Sequence, residues 1–134
     1  MLVYCDANVF VDVIQQRRSK YRPLGDLAFD FFSRGWNCQF KLVVSKWAFE
    51  EATKHISAKD FNDLIDNFKE LDKLIWLDYT DEDVAKARKM SANWTDALHV
   101  VLALKSKSDV IATVNMKHLR VFSSMIDISY PERI

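Results

Sequence analysis

Short runs of consecutive apolar residues alternate along the chain with longer stretches in which apolar residues recur every three or four positions. Four runs have the length and composition of buried strands: 2–5 (LVYC), 41–44 (KLVV), 74–78 (LIWLD) and 109–113 (DVIAT), with a weaker fifth near 126–129. Between them the spacing predicts helices over 7–17, 24–35, 46–56, 58–72, 81–91 and 94–106, and a short last one over 115–122. The second carries Leu24, Leu27, Ala28, Phe31 and Phe32 on one face, and the fourth carries Phe61, Leu64, Ile65, Phe68 and Leu71. Thr80 followed by Asp83 reads as a capping box for the fifth. In the sixth, Ala103 and Leu104 adjoin the stripe of Leu98, Val101 and Leu102, marking a largely buried helix. Strands alternating with helices predict one α/β domain over residues 1–134, built on a mostly parallel sheet.

Such sheets bind ligands beyond the carboxyl ends of their strands, where the strand order reverses. The polar residues at those ends therefore carry the chemistry. In "LVYCDANVFVD" the first strand ends on Asp6, and burying an unpaired carboxylate costs several kcal/mol. Asn115 follows the fourth strand at the equivalent point, Glu50 and Glu51 follow the second, and Asp96 opens the apolar helix "TDALHVVLAL". Magnesium-like cations take carboxylate oxygens and water as ligands. One held here would compensate the charge on Asp6, and carboxylates with metal support in-line attack of water on a phosphodiester. Each residue also has an ordinary reading. Asp6 and Asn115 are suitable helix caps, Asp96 can close a capping box with Asn93, and either glutamate can be a solvated helix residue.

Composition narrows the field. Apolar residues are 49% of the chain, enough for a full core, and two glycines leave no phosphate-binding loop. Lysine plus arginine equals aspartate plus glutamate at 19 each, so any basic surface must be local. The stretch "RRSKYR" gathers Arg17, Arg18, Lys20 and Arg22, which suits either contact with RNA phosphates or a plain solvated loop. Lys117 and His118 either flank the substrate path or only finish the last helix. His99 lies three residues after Asp96, on the same helical face. It is either a hydrogen-bonding support for a carboxylate or a satisfied core histidine. Cys5 and the four tryptophans are read as core. Two cysteines without a signal-peptide pattern suit a reduced, cytoplasmic protein, and no apolar run approaches the roughly 20 residues that span a bilayer.

Four segments, in order, resemble the PIN-domain ribonucleases, VapC-type toxins included: "YCDANVFVD", "VVSKWAFEEA", "TDALHVVLAL" and "SDVIATVNMKHL". The resemblance implies a PIN-like three-layer fold with strand order 3-2-1-4-5, which sets Asp6 and Asn115 face to face with Asp96 and Glu51 above them. It places Asp6, Glu51 and Asp96 at the family's acidic metal positions, and Asn115 where a fourth aspartate is common. Asn8 and Thr113 match polar positions that orient the site. The glutamate is Glu51 by its spacing from Ser45; helix geometry leaves Glu50 open. The resemblance further implies a Mg2+- or Mn2+-dependent endoribonuclease leaving a 5′-phosphate and a 3′-hydroxyl. Its substrate would be RNA and its partner an antitoxin, with a dimer formed through the 46–56 and 58–72 pair. Asn115 also admits a PIN-like RNA- or protein-binding module with little activity. A phosphatase of the haloacid-dehalogenase type also uses an aspartate after its first strand, but needs a second where this chain has Asn8.

Overall fold

A computed structural model describes residues 1–134. In chain order the elements are β1 (Leu2–Cys5), α1 (Ala7–Gln15), α2 (Leu24–Trp36), β2 (Lys41–Ser45), α3 (Lys46–Ala52), α4 (Ala58–Glu70) and β3 (Leu74–Leu77). They continue with α5 (Asp81–Met90), α6 (Trp94–Lys105), β4 (Val110–Ala112), α7 (Met116–Leu119) and β5 (Asp127–Ser129), with single 3-10 turns at Arg120–Phe122 and Pro131–Arg133. All five strands are parallel, in the order β3-β2-β1-β4-β5. This is the α/β sheet that the apolar pattern and the family resemblance both predict.

A parallel sheet covered on both faces needs apolar residues on both, which is why its strands read as unbroken hydrophobic runs. Val3, Cys5, Leu42, Val44, Val110 and Ala112 face α1 to α4, where a cluster of phenylalanines fills the layer. Phe10 lies 4.4 Å from Phe61 and Phe31 stacks 4.9 Å from Phe40, between ring centroids. Gly35 gives way to this cluster, since a Cβ there would sit 2.6 Å from the Phe68 ring. On the other face, Tyr4, Val43 and Ile111 pack against Leu98, Leu102 and Leu119. No helix is long and apolar enough to cross a membrane.

Four helices end differently from the expected pattern, α4 by stopping at Glu70 rather than 72. Gln16 turns left-handed (φ 50°, ψ 48°) and closes α1 two residues early, sending the basic stretch into a loop. The third helix stops at Ala52 rather than 56, where the Thr53 hydroxyl donates to the Phe49 carbonyl at 2.7 Å. The last splits into α7 and a 3-10 turn. The box on α5 forms as predicted, with Thr80 and Asp83 each accepting from the other's backbone N–H. Trp76 is a correction: it lies on the edge strand β3, is 42% exposed, and donates its indole N–H to Asp78. The other three tryptophans are half-buried.

The chain builds β1 to β3 outward on one side, then returns past β1 to lay down β4 and β5. The carboxyl ends of β1 and β4 therefore meet at the point where direction reverses. Their ladder runs on one step further, the Asp6 N–H donating to the Ala112 carbonyl at 3.0 Å.

Candidate active site

Asp6 leaves β1 in extended conformation and caps α1, Oδ1 accepting from the Ala7 N–H at 2.7 Å. Its second oxygen does a different job. Oδ2 accepts from the Thr113 hydroxyl at 2.7 Å and from the Asn8 side-chain amide at 3.1 Å. Thr113 Oγ1 in turn accepts from the Asn115 N–H, so one hydroxyl joins the ends of β1 and β4. The cap reading and the site reading of Asp6 thus describe two oxygens of one carboxylate, which is 4% exposed.

Ser45 ends β2 and caps α3 by accepting from the Ala48 N–H. The two glutamates of α3 then part. Glu50 accepts from the Tyr79 hydroxyl at 2.7 Å, and that bond pushes the phenol pKa up to about 12. Glu51 turns instead to the cleft and meets His99, which reaches in from α6.

His99 is 1% exposed. Its Nε2 lies 2.5 Å from Glu51 Oε1 and 3.2 Å from Asp6 Oδ1, and its Nδ1 lies 2.7 Å from the Tyr4 hydroxyl. Burial alone would strip the imidazole of its proton. Asp6 and then Glu51 outweigh that penalty, and the pKa rises. The Tyr4 hydroxyl touches Ser45 Oγ as well, at 2.7 Å, and burial lifts its pKa far above the ordinary phenol value. It stays a neutral hydroxyl that bridges His99 and Ser45.

Asp96 stands one turn before His99. Its carboxyl is pushed up, first by burial and then by repulsion from Asp6, while His118, with Nδ1 at 3.7 Å, opposes the rise. The Asn115 amide donates to Asp96 Oδ1 at 3.3 Å. Neither Asn93 nor Asn115 caps its helix with its side chain, so the capping roles read for them and for the Asn93–Asp96 box are absent.

The resulting cleft holds about 190 Å³ and is lined by Asp6, Asn8, Glu51, Asp96, Asn115 and Arg17, among others. All four expected ligand positions line it. Only Asp6 and Glu51, however, belong to the tight cluster whose donor atoms lie within 4.8 Å of one another; its third member is His99. Hard oxygen donors suit Mg2+ and Mn2+, and an added imidazole favours the softer of the two. Of the four basic residues expected to bind substrate, Arg17, Arg18, Lys20 and Lys117, Arg17 alone lines the cleft, beside His55. Arg18 borders a small neighbouring depression with Pro23 and Asp26 that Arg17 also lines, Lys20 lies 5.3 Å over the Tyr21 ring, and Lys117 is exposed on α7.

Sequence reasoning missed Asp12, although an acid inside the apolar run "VFVDVI" is its signal. Asp12 is 1% exposed and neither carboxylate oxygen has a hydrogen-bond partner. Burial pushes its pKa from 3.8 to about 6 against the pull of Arg17 and Arg22. The fold therefore favours the protonated acid, and stability falls as pH rises from 3.8 through about 6. A shift of that size corresponds to roughly 3 kcal/mol. Asp12→Asn, which does not titrate there, should be the more stable protein in urea unfolding at about pH 7.5, with the gap closing near pH 4. An equal gap at both values would show that the carboxyl is not displaced.

No family model and no curated protein matches the chain. Among solved structures, the chain superposes on one in the crystal structure of VapBC2 from Rickettsia felis bound to a DNA fragment from their promoter. The TM-score is 0.62 over 97% of this chain and 98% of that one, at 16% identity. With the 3-2-1-4-5 parallel sheet and helices on both faces, this likeness establishes the architecture: the chain has a PIN-like fold.

Proposed function

We propose that the protein is a metal-dependent endoribonuclease of the PIN type. One observation carries the reading: Asp6, Glu51, Asp96 and Asn115 come from four separate places in the chain and line a single cleft at the reversal point of the sheet. A bound Mg2+ or Mn2+ would supply Lewis-acid neutralisation of phosphate charge and an acidified water.

The chain's own residues hold and orient. Thr113 and Asn8 fix Asp6 Oδ2 and so orient a carboxylate that would help to hold the cation. Glu51 and Asp96 complete the acidic wall, and Asn115 adds a neutral oxygen ligand where a fourth charge would stand. His99, with Nε2 between Asp6 and Glu51, holds the two carboxylates in place from behind. Arg17 supplies positive charge at the mouth for an incoming RNA phosphate. Products with a 5′-phosphate and a 3′-hydroxyl follow from the resemblance, as does a protein partner of the antitoxin kind. The superposed structure, a VapBC2 assembly on promoter DNA, supports that partner reading. Self-association through α3 and α4 completes the proposal. Light scattering on the purified chain should give twice the monomer mass, and a monomer at working concentration would reject that part.

A second reading is a PIN-like binding module with little cleavage. It draws on Asn115, which brings no charge and spends its amide on Asp96, and on the His99 ring already within reach of both Asp6 and Glu51.

RNA cleavage in Mg2+ or Mn2+ decides between them. Asp6→Asn and Asp96→Asn should each lose on the order of 100-fold or more in kcat. Equal activity in all three proteins would sink the mechanism. Wild-type protein that binds the RNA but leaves it intact would favour the module.

A further inference from the structure

The Asp12 carboxylate is buried in α1, the helix that begins at Asp6, and accepts no hydrogen bond. The cation that meets it is Arg17, with Nε 3.6 Å from Asp12 Oδ1. Arg17 is also the one permanent cation lining the cleft. We propose that Asp12 is a positioning residue: it anchors the Arg17 guanidinium at the cleft mouth, where that group meets an RNA phosphate. The inference rests on the nuclease reading for what Arg17 meets, and on the geometry alone for what Asp12 does to Arg17.

The loop after α1 already fixes the Arg17 backbone. Its N–H donates to the Asp12 carbonyl at 3.1 Å, and its carbonyl accepts from the Gly25 N–H at 2.8 Å. Gly25 is pressed close, since a Cβ there would fall 2.7 Å from Gln16 Cα. Only the side chain is left free. A long arginine beside Asp6, Glu51 and Asp96 would be drawn into the cleft and pair with the carboxylates a cation needs. Asp12 offers a competing negative charge outside that cluster.

Arg22 and Asp6 are the other charged groups that Asp12 feels. Arg22 is already engaged, paired with Glu132 and lying 4.1 Å over the Tyr130 ring, so Arg17 is the partner available. The burial of this charge destabilises the fold at neutral pH, whereas a neutral side chain would not. A charge kept at that cost points to the group it positions.

The test is a double-mutant cycle on RNA cleavage in Mn2+, using wild type, Asp12→Asn, Arg17→Ala and the double variant. Asp12→Asn should raise KM roughly five- to tenfold and hold kcat within about twofold. In the Arg17→Ala background it should change KM by less than about twofold. A merely structural role predicts loss of melting temperature alongside activity, whereas Asp12→Asn is expected to melt higher than wild type at neutral pH. In parallel, phenylglyoxal modification of Arg17, followed by peptide mass spectrometry without RNA, should be faster in Asp12→Asn. An undiminished KM effect in the Arg17→Ala background, or no effect in wild type, overturns the proposal. If wild type cuts no RNA, the nuclease reading fails on its own. The modification rate then decides: faster supports the anchor, unchanged overturns it.

Discussion

The buried charge on Asp6 is the constraint around which the rest of the site is arranged. At the end of a central strand, with 4% of its surface in contact with solvent, this carboxylate is met from three directions. The first turn of α1 takes Oδ1, Thr113 and Asn8 take Oδ2, and His99 brings a ring nitrogen to 3.2 Å. These contacts come from three parts of the fold: the first turn of α1, the end of β4 and α6. β4 must lie beside β1 to bring Thr113, and α6 must cross the sheet behind it to bring His99. The strand order and the site are therefore one requirement seen at two scales.

That arrangement also explains why so many neighbouring groups titrate away from their ordinary values. The Asp96 and His99 pKa values are both raised because Asp6 and its acidic neighbours share a small, partly dry volume. Tyr4 and Ser45 lie behind His99 and fix the ring through one chain of hydroxyls. Asp12 extends the same logic further along α1, where a second buried acid reaches outward to Arg17. Carboxylates concentrated in this way oppose folding and favour whatever cation neutralises them.

The strands and helices are legible from the sequence because the central runs of β1, β2 and β4 are buried on both faces and helices such as α2 and α4 carry one apolar stripe. Helix ends are less so, because Gln16 and Thr53 stop α1 and α3 through local backbone and hydroxyl contacts that the stripe does not encode. The four polar positions at strand and helix ends can be picked out by their placement, and the fold gathers them on one cleft; whether they hold metal is the proposal. Glu51 and Glu50 are adjacent, and what separates them is Tyr79, 29 residues away from Glu50. The pairing of Tyr4 with His99 spans 95 residues, and no spacing rule reaches that far. In the sequence His99 is consequently open between two roles, and its place between Asp6 and Glu51 has no signal beyond its offset from Asp96.

Calorimetric titration of the metal-free protein with Mn2+ tests most directly the claim that Asp6 is the centre of a cation site. Asparagine still caps a helix, so Asp6→Asn keeps the first turn of α1 while removing the charge. The account predicts saturable binding to the wild type at millimolar Mn2+ or below, and its loss in Asp6→Asn. No binding to the wild type in that range, or the same affinity in both proteins, would contradict it.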